Sequence, residues 1–231
     1  MFVIFDLDDT LVDHTTAYRR ATAQLRHTIG SPLSFDEFMT QWSEAHRRYF
    51  DRFLLGDLTY HEQSRARVRD VVDSSLTDTE ADRHFSRYIE SYEHAWALFP
   101  DVTPCLQGLV RHRLAIVSNG QRDQQVQKLV RTGIRDRYAY FVVPADCGQP
   151  KPHAEIFHHV CAVAGESPAR SVYVGDAYDL DALAARNAGL IGVWLARGGE
   201  SSSHQPPVIH SLVELPTLLD TLEAEIDTDV R

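Results

Sequence analysis

Four consecutive apolar residues, Phe2–Phe5, open the chain, and three carboxylates, Asp6, Asp8 and Asp9, follow at once. Apolar runs of the same kind recur at 114–118, 140–143, 172–174 and 190–195. Each is short and almost continuously apolar, which is the pattern of strands covered on both faces. Between the later runs, helical periodicity predicts helices over 121–132, 153–164 and 180–188. Strands alternating with helices predict an α/β fold, a doubly wound parallel sheet. From about His14 to His94 the pattern changes. There is no convincing strand, only amphipathic stretches over 18–29, 35–55, 60–72 and 79–98, broken at 30–34 and 55–59 by Gly, Pro and Ser or by Gly and Asp. The expected organisation is a core of residues 1–13 and 96–231 with a small all-helical domain, 14–95, inserted after the first strand. Pro100 marks the return to the core. Residues 198–207 read as a loop, and 214–231 as a surface helix with a polar tail.

At 231 residues the chain can bury a sizeable core. Its 23 Lys and Arg against 33 Asp and Glu give a formal charge of −10, which argues against a nucleic acid polymer as partner. An anionic ligand must therefore be drawn in by local positive groups or a metal. Cys105, Cys147 and Cys161 are an odd number without zinc-ligand spacing, as expected in a reducing compartment. The first strand carries no basic leader, and no apolar run reaches the ~20 residues that span a bilayer. These features point to a cytoplasmic protein with no membrane partner, either monomer or homodimer.

The chemistry concentrates at strand ends. Alternation points Asp6 and Asp8 to the same side at the carboxyl edge of the first strand, where open α/β sheets bind ligands. Two like charges crowded there call for a cation or a shared proton. A lone Asp-x-Asp would serve equally well as a cap. The reading changes because a second apolar run, 171–175, ends in Asp176, with Asp179 and Asp181 close behind. Hard carboxylate oxygens from two distant strands suit Mg²⁺. Two further elements sit at strand ends: Ser118-Asn119-Gly120, whose hydroxyl and turn amides suit phosphoryl oxygens, and Lys151, held between Pro150 and Pro152. Asp9 is expected to point away from the cluster. His153, His158 and His159 read as a helix face, and Trp42 and Trp96 as buried in the inserted domain. Arg47, Arg48 and Arg52, with Tyr49 and Phe50, read mostly as a solvated face and core of the inserted domain, with one or two of them candidates for reaching toward a ligand.

In order and spacing, Asp6-Leu-Asp-Asp-Thr10, Val117-Ser-Asn-Gly120, Gln149-Pro-Lys-Pro152 and Gly175-Asp-Ala-Tyr-Asp-Leu-Asp181 resemble the four motifs of the haloacid dehalogenase superfamily of phosphotransferases. The inserted helices resemble the cap of its subclass I, on a Rossmann-like core. The resemblance implies Asp6 as the nucleophile, Asp8 as general acid/base and Thr10 as loop support. It implies Ser118 and Asn119 at the phosphate, and Lys151 on the nucleophile and phosphoryl oxygens. Mg²⁺ would be held by Asp6, Asp176 and the main-chain carbonyl of Asp8. The second acid of the last motif is Asp181 or Asp179. The halide-releasing members lack an acid at the position of Asp8 and need no Mg²⁺, so dehalogenation is not expected. The implied activity is a Mg²⁺-dependent phosphatase of small phosphorylated metabolites. Residues 53–59 and 131–134 resemble a group acting on nucleotides and sugar phosphates, and favour a 5′-nucleotide. The alternatives are a phosphomutase of the same fold and, from a different class, a non-catalytic binding or regulatory module.

Overall fold

The computed structural model describes residues 1–199 and 206–229. Strand β1 (Phe2–Phe5) leads into four helices, α1 (His14–Thr28), α2 (Phe35–Leu54), α3 (Tyr60–Val71) and α4 (Asp78–His94). There follow α5 (Val102–Gly108), β2 (Arg113–Val117), α6 (Arg122–Arg131), β3 (Tyr140–Val142), α7 (Pro144–Cys147), α8 (Ala154–Ala164) and β4 (Ser171–Gly175). A π-helical turn, Tyr178–Leu183, precedes α9 (Ala184–Asn187), β5 (Ile191–Leu195), β6 (Val208–Ile209) and α10 (Leu215–Asp229). Internal contacts divide the chain into two units, Met1–Val12 with Leu98–Arg231, and Asp13–Ala97.

In the first unit six parallel strands form one sheet in the order β3-β2-β1-β4-β5-β6. The order reverses beside β1, which pairs with β2 on one side and β4 on the other. That reversal is a topological switch point, where the loops leaving neighbouring strands diverge and open a crevice at their carboxyl ends. Every residue of β1 is buried, and Phe2 and Ile4 join Ala115, Val117, Tyr173 and Phe157 in one continuous apolar cluster. An apolar cluster of this kind holds the strand ends still and fixes whatever side chains follow them.

The helical unit is tied at each helix start. Asp13 caps α1, and Ser34, Thr59 and Thr77 form reciprocal capping boxes with Glu37, Glu62 and Glu80. Each such cap satisfies otherwise orphaned N–H groups and is worth about 1 kcal/mol. Within the unit, buried Trp42 stacks on Phe38 and contacts Tyr88 edge-on. The buried Arg67 guanidinium lies 3.7 Å over the Trp42 ring and donates to the Tyr18 hydroxyl. Trp96 is also buried, against Tyr92.

The elements differ from expectation in a few places. The first inserted helix starts at His14 because Asp13 caps it, and the fourth ends at His94. The expected helix over 180–188 is a π-helical turn followed by a short α-helix. Strand β6 was not anticipated, because two residues carry no periodicity. Of the expected loop 198–207, residues 200–205 lie outside the described part, as do residues 230 and 231 of the expected tail. No helix among the described residues is long and apolar enough to cross a membrane.

Candidate active site

The chain leaves β1 at Phe5, and the Asp6 amide still bonds to the Val174 carbonyl of β4 at 2.9 Å. The backbone then turns back on itself. Leu11 N and Val12 N both donate to Leu7 O, and Asp9 adopts a left-handed φ of 56°. Asp is among the residues that tolerate this conformation best. Arg197 clamps the outside of the turn, donating to the carbonyls of Thr10 at 2.7 Å and Asp9 at 3.3 Å while pairing with Asp101 at 2.8 Å. The strand alternation therefore stops before Asp8, and the two acids do not converge as alternation predicts. Asp6 joins Asp176 and Asp181, one oxygen of each lying within 4.8 Å of the others, whereas both Asp8 oxygens are held elsewhere.

Lys151 organises the acid group. Its buried Nζ donates to Asp6 Oδ1 and Asp181 Oδ1 at 2.6 Å each. Asp181 is 1% exposed and also accepts from the Tyr173 hydroxyl and the Ala177 amide. Asp179, the sequence alternative, is exposed; the π-helical turn carries it out of the cluster. A Cβ on Gly175 would lie 2.4 Å from Asp181 Cγ, so only glycine lets the Asp181 carboxylate approach. Thr10 Oγ1 bonds to Asp176 Oδ1 and accepts from the Asp176 amide, both at 3.1 Å, which welds the first loop to the fourth. Asn119 does not present its amide to a ligand. Its Nδ2 and Oδ1 clasp the Lys151 main chain at 3.0 and 2.8 Å and fix the start of the lysine side chain.

Asp8 meets two residues that sequence reasoning passed over. Gln125 Nε2 donates to Asp8 Oδ2 at 2.7 Å, and the fully buried Lys128 ammonium pairs with Asp8 Oδ1. The same Gln125 nitrogen donates to Ser118 Oγ at 2.8 Å. A signal for them was present: Gln125 and Lys128 occupy the buried face of α6 beside Leu129, where an amphipathic helix places apolar residues.

Burial pushes the Asp6 carboxyl well above its usual range, and crowding by Asp181 and Asp176 adds to this against the pull of Lys151. For Lys151, burial is outweighed by Asp181 and Asp6, which hold it charged. Asp176 is raised to about 6 by burial and then by the charges of Asp181 and Asp9. Three carboxylates thus face one ammonium. Among the described residues, both Asp181 oxygens are spent on protein donors, while Asp6 Oδ2 and Asp176 Oδ2 are not. That donor set, hard, anionic and in excess of its counter-charge, fits a small divalent cation held directly by Asp6 and Asp176.

A pH test follows from Asp176. Its folded pKa lies above its ordinary value of 3.8, so the folded state prefers it protonated. The stability it contributes is present below about pH 4 and is lost as pH rises through about 6. Relative to Asp176→Asn, the metal-free protein should lose on the order of 2 kcal/mol across that window. Thermal unfolding of both proteins in chelator at pH 4.5 and 7.5 checks this, and parallel profiles would refute it.

The helical unit holds a pocket of about 260 Å³ lined by His14, Thr15, Tyr18, Arg19, Met39, Ser43 and His46. Arg47, Arg48, Tyr49 and Arg52 are not in its lining; Arg48 is exposed and paired with Asp70 at 2.6 Å.

The chain is 26% identical to the N-acylneuraminate-9-phosphatase of Rattus norvegicus, over 99% of this chain and 97% of that one. It is 29% identical to the glyceraldehyde 3-phosphate phosphatase of Methanopyrus kandleri, over 85% and 84%. Among solved structures, a magnesium-bound hydrolase from Bacillus subtilis superimposes with a TM-score of 0.79 at 23% identity, covering 95% of this chain and 98% of that one. A 2-haloacid dehalogenase from Pseudomonas syringae gives 0.73 at 26%, covering 96% and 100%. One fold thus carries both chemistries, and the site decides between them. The family model for haloacid dehalogenase-like hydrolases matches residues 1–189, and the chain belongs to that family.

Proposed function

We propose that the protein is a Mg²⁺-dependent phosphatase of small phosphorylated metabolites, working through an aspartyl-phosphate on Asp6. The observation that carries this reading is the buried Lys151 bridge between Asp6 and Asp181 beside Asp176, with Asp8 held separately next to Ser118. Bound Mg²⁺, held by Asp6, Asp176 and the Asp8 main-chain carbonyl, would offset charge on the transferring phosphoryl group. Lys151 and the Ser118 hydroxyl hold phosphoryl oxygens, with the main-chain amide of Asn119 completing the cradle. A carboxylate oxygen of Asp6 attacks phosphorus as the bond to the leaving oxygen breaks, and Asp8 gives that oxygen its proton. Asp8 then takes a proton from water as the water attacks phosphorus, which frees Asp6 and inorganic phosphate. The presence of Asp8 supports phosphoryl rather than halide chemistry.

The near full-length relatives act, by name, on a sugar-acid phosphate and a triose phosphate, which favours a carbohydrate phosphate as substrate. A cytoplasmic setting accords with three free cysteines. The test is phosphate release from a panel of sugar, triose and nucleotide monophosphates, with Mg²⁺ and with EDTA. Release from carbohydrate phosphates should be rapid with Mg²⁺ and absent with EDTA. Full rates in EDTA, or no release from any member, would sink the proposal, and a preference for 5′-nucleotides would move the substrate class.

A further inference from the structure

The hydrogen bonds around Gln125 link two groups that this mechanism uses separately, Asp8 and Ser118. The Gln125 carboxamide is 1% exposed, and its nitrogen spends both protons, one on Asp8 Oδ2 and one on Ser118 Oγ. Exchanging the amide oxygen and nitrogen would set an oxygen against a carboxylate, so this orientation is the one that chemistry allows. Ser118 Oγ also accepts from the Gly120 amide at 3.2 Å. A hydroxyl has two lone pairs and one proton, and here both lone pairs are taken. What remains to Ser118 is its proton, and phosphoryl oxygens are acceptors.

The arrangement costs the fold something. Among the described residues, buried Gln125 Oε1 has no hydrogen-bond partner, a penalty that an apolar side chain at this position would avoid. A Cβ on Gly120 would lie 2.1 Å from Gln125 Nε2, so the loop gives up a side chain to make room for the amide. Lys128, with no exposed surface, takes the other Asp8 oxygen, so the acid is gripped on both sides from one helix face. Packing of α6 alone would be served better by apolar residues at both positions.

We propose that Gln125 and Lys128 are positioning residues for phosphoryl transfer. Through Ser118, Gln125 makes the phosphate-site hydroxyl an obligate donor. Through Asp8, the pair sets the direction from which the acid meets the leaving oxygen. The proposal rests on the phosphatase reading and deepens it.

The experiment compares wild type, Lys128→Met, Lys128→Arg and Gln125→Met on an alkyl phosphate and on p-nitrophenyl phosphate, with thermal unfolding and inhibition by inorganic phosphate measured on each. An alkoxide leaving group needs the proton of Asp8, and p-nitrophenolate needs it far less. Lys128→Met should therefore lose about 10²-fold in kcat/KM on the alkyl ester and less than about 5-fold on the aryl ester. Lys128→Arg should recover most of the alkyl activity. Gln125→Met should weaken inhibition by inorganic phosphate about tenfold. A merely structural role would lower both esters equally and leave phosphate inhibition unchanged; that result, or wild-type behaviour in both Met variants, overturns the proposal. If Lys128→Met does not fold, Gln125→Met decides alone through phosphate inhibition. Wild type inert on every phosphomonoester would remove the phosphatase reading and this inference with it, whereas active wild type with flat variants removes only the positioning roles.

Discussion

Asp6→Asn should abolish phosphate release while leaving the fold intact. Asparagine keeps the shape of the side chain and can still meet Lys151, but it has no anionic oxygen to attack phosphorus. Losing the nucleophile of a covalent mechanism costs roughly 10⁴–10⁶-fold, because the remaining groups act mainly through it. Stability should move the other way. Asp6 sits buried among Asp176 and Asp181, an arrangement that resists its ionisation. Removing its charge in the metal-free protein should leave Tm unchanged or raise it, and should shrink the stabilisation that added Mg²⁺ confers. Steady-state turnover and thermal unfolding with and without Mg²⁺ read both effects. Turnover above a few per cent of wild type would remove Asp6 from the nucleophile's role.

Lys151→Met should damage both stability and catalysis, since one buried ammonium serves two buried carboxylates. Taking away one member of a buried ion group leaves uncompensated charge, at a cost of about 3–5 kcal/mol. In a chain of this size that corresponds to a drop in Tm of roughly 10 °C. The double variant Lys151→Met with Asp181→Asn should regain part of this loss, because Asp181 is then no longer an unpaired buried anion. Activity should not return with it, as the clamp on the phosphoryl oxygens is still missing. An unchanged Tm for the single variant would mean that the lysine does not hold the cluster together. Activity recovered in the double variant would mean that Lys151 only neutralises Asp181.

These expectations separate what local pattern can report from what it cannot. Continuous apolar runs mark strands covered on both faces whatever lies around them, so the parallel α/β core was legible, as was the family resemblance of the four acid, hydroxyl and lysine motifs. The strand-free stretch between the first two strands was equally plain, because amphipathic periodicity and capping residues act over single turns. Strand β6 was invisible, since two residues carry no period. So was the choice between Asp179 and Asp181, which depends on how the π-helical turn rotates each one toward or away from Lys151.

Tertiary structure decided which charge meets which. Alternation extrapolated from β1 paired Asp6 with Asp8, but the chain turns after Phe5 and sends their carboxylates to different lysines, 145 and 120 residues away in sequence. Lys128 and Gln125 meet Asp8 only once the packing of α6 buries them. Asn119 read as a phosphate ligand until the approach of the Lys151 loop claims its side chain. The physical reason is the same throughout. Backbone preferences and hydrophobic patterning are set by neighbours within a few residues, and they determine the elements. Ion pairs and buried hydrogen bonds fall off over a few ångströms of space, so their partners exist only once the sheet has brought distant strand ends together.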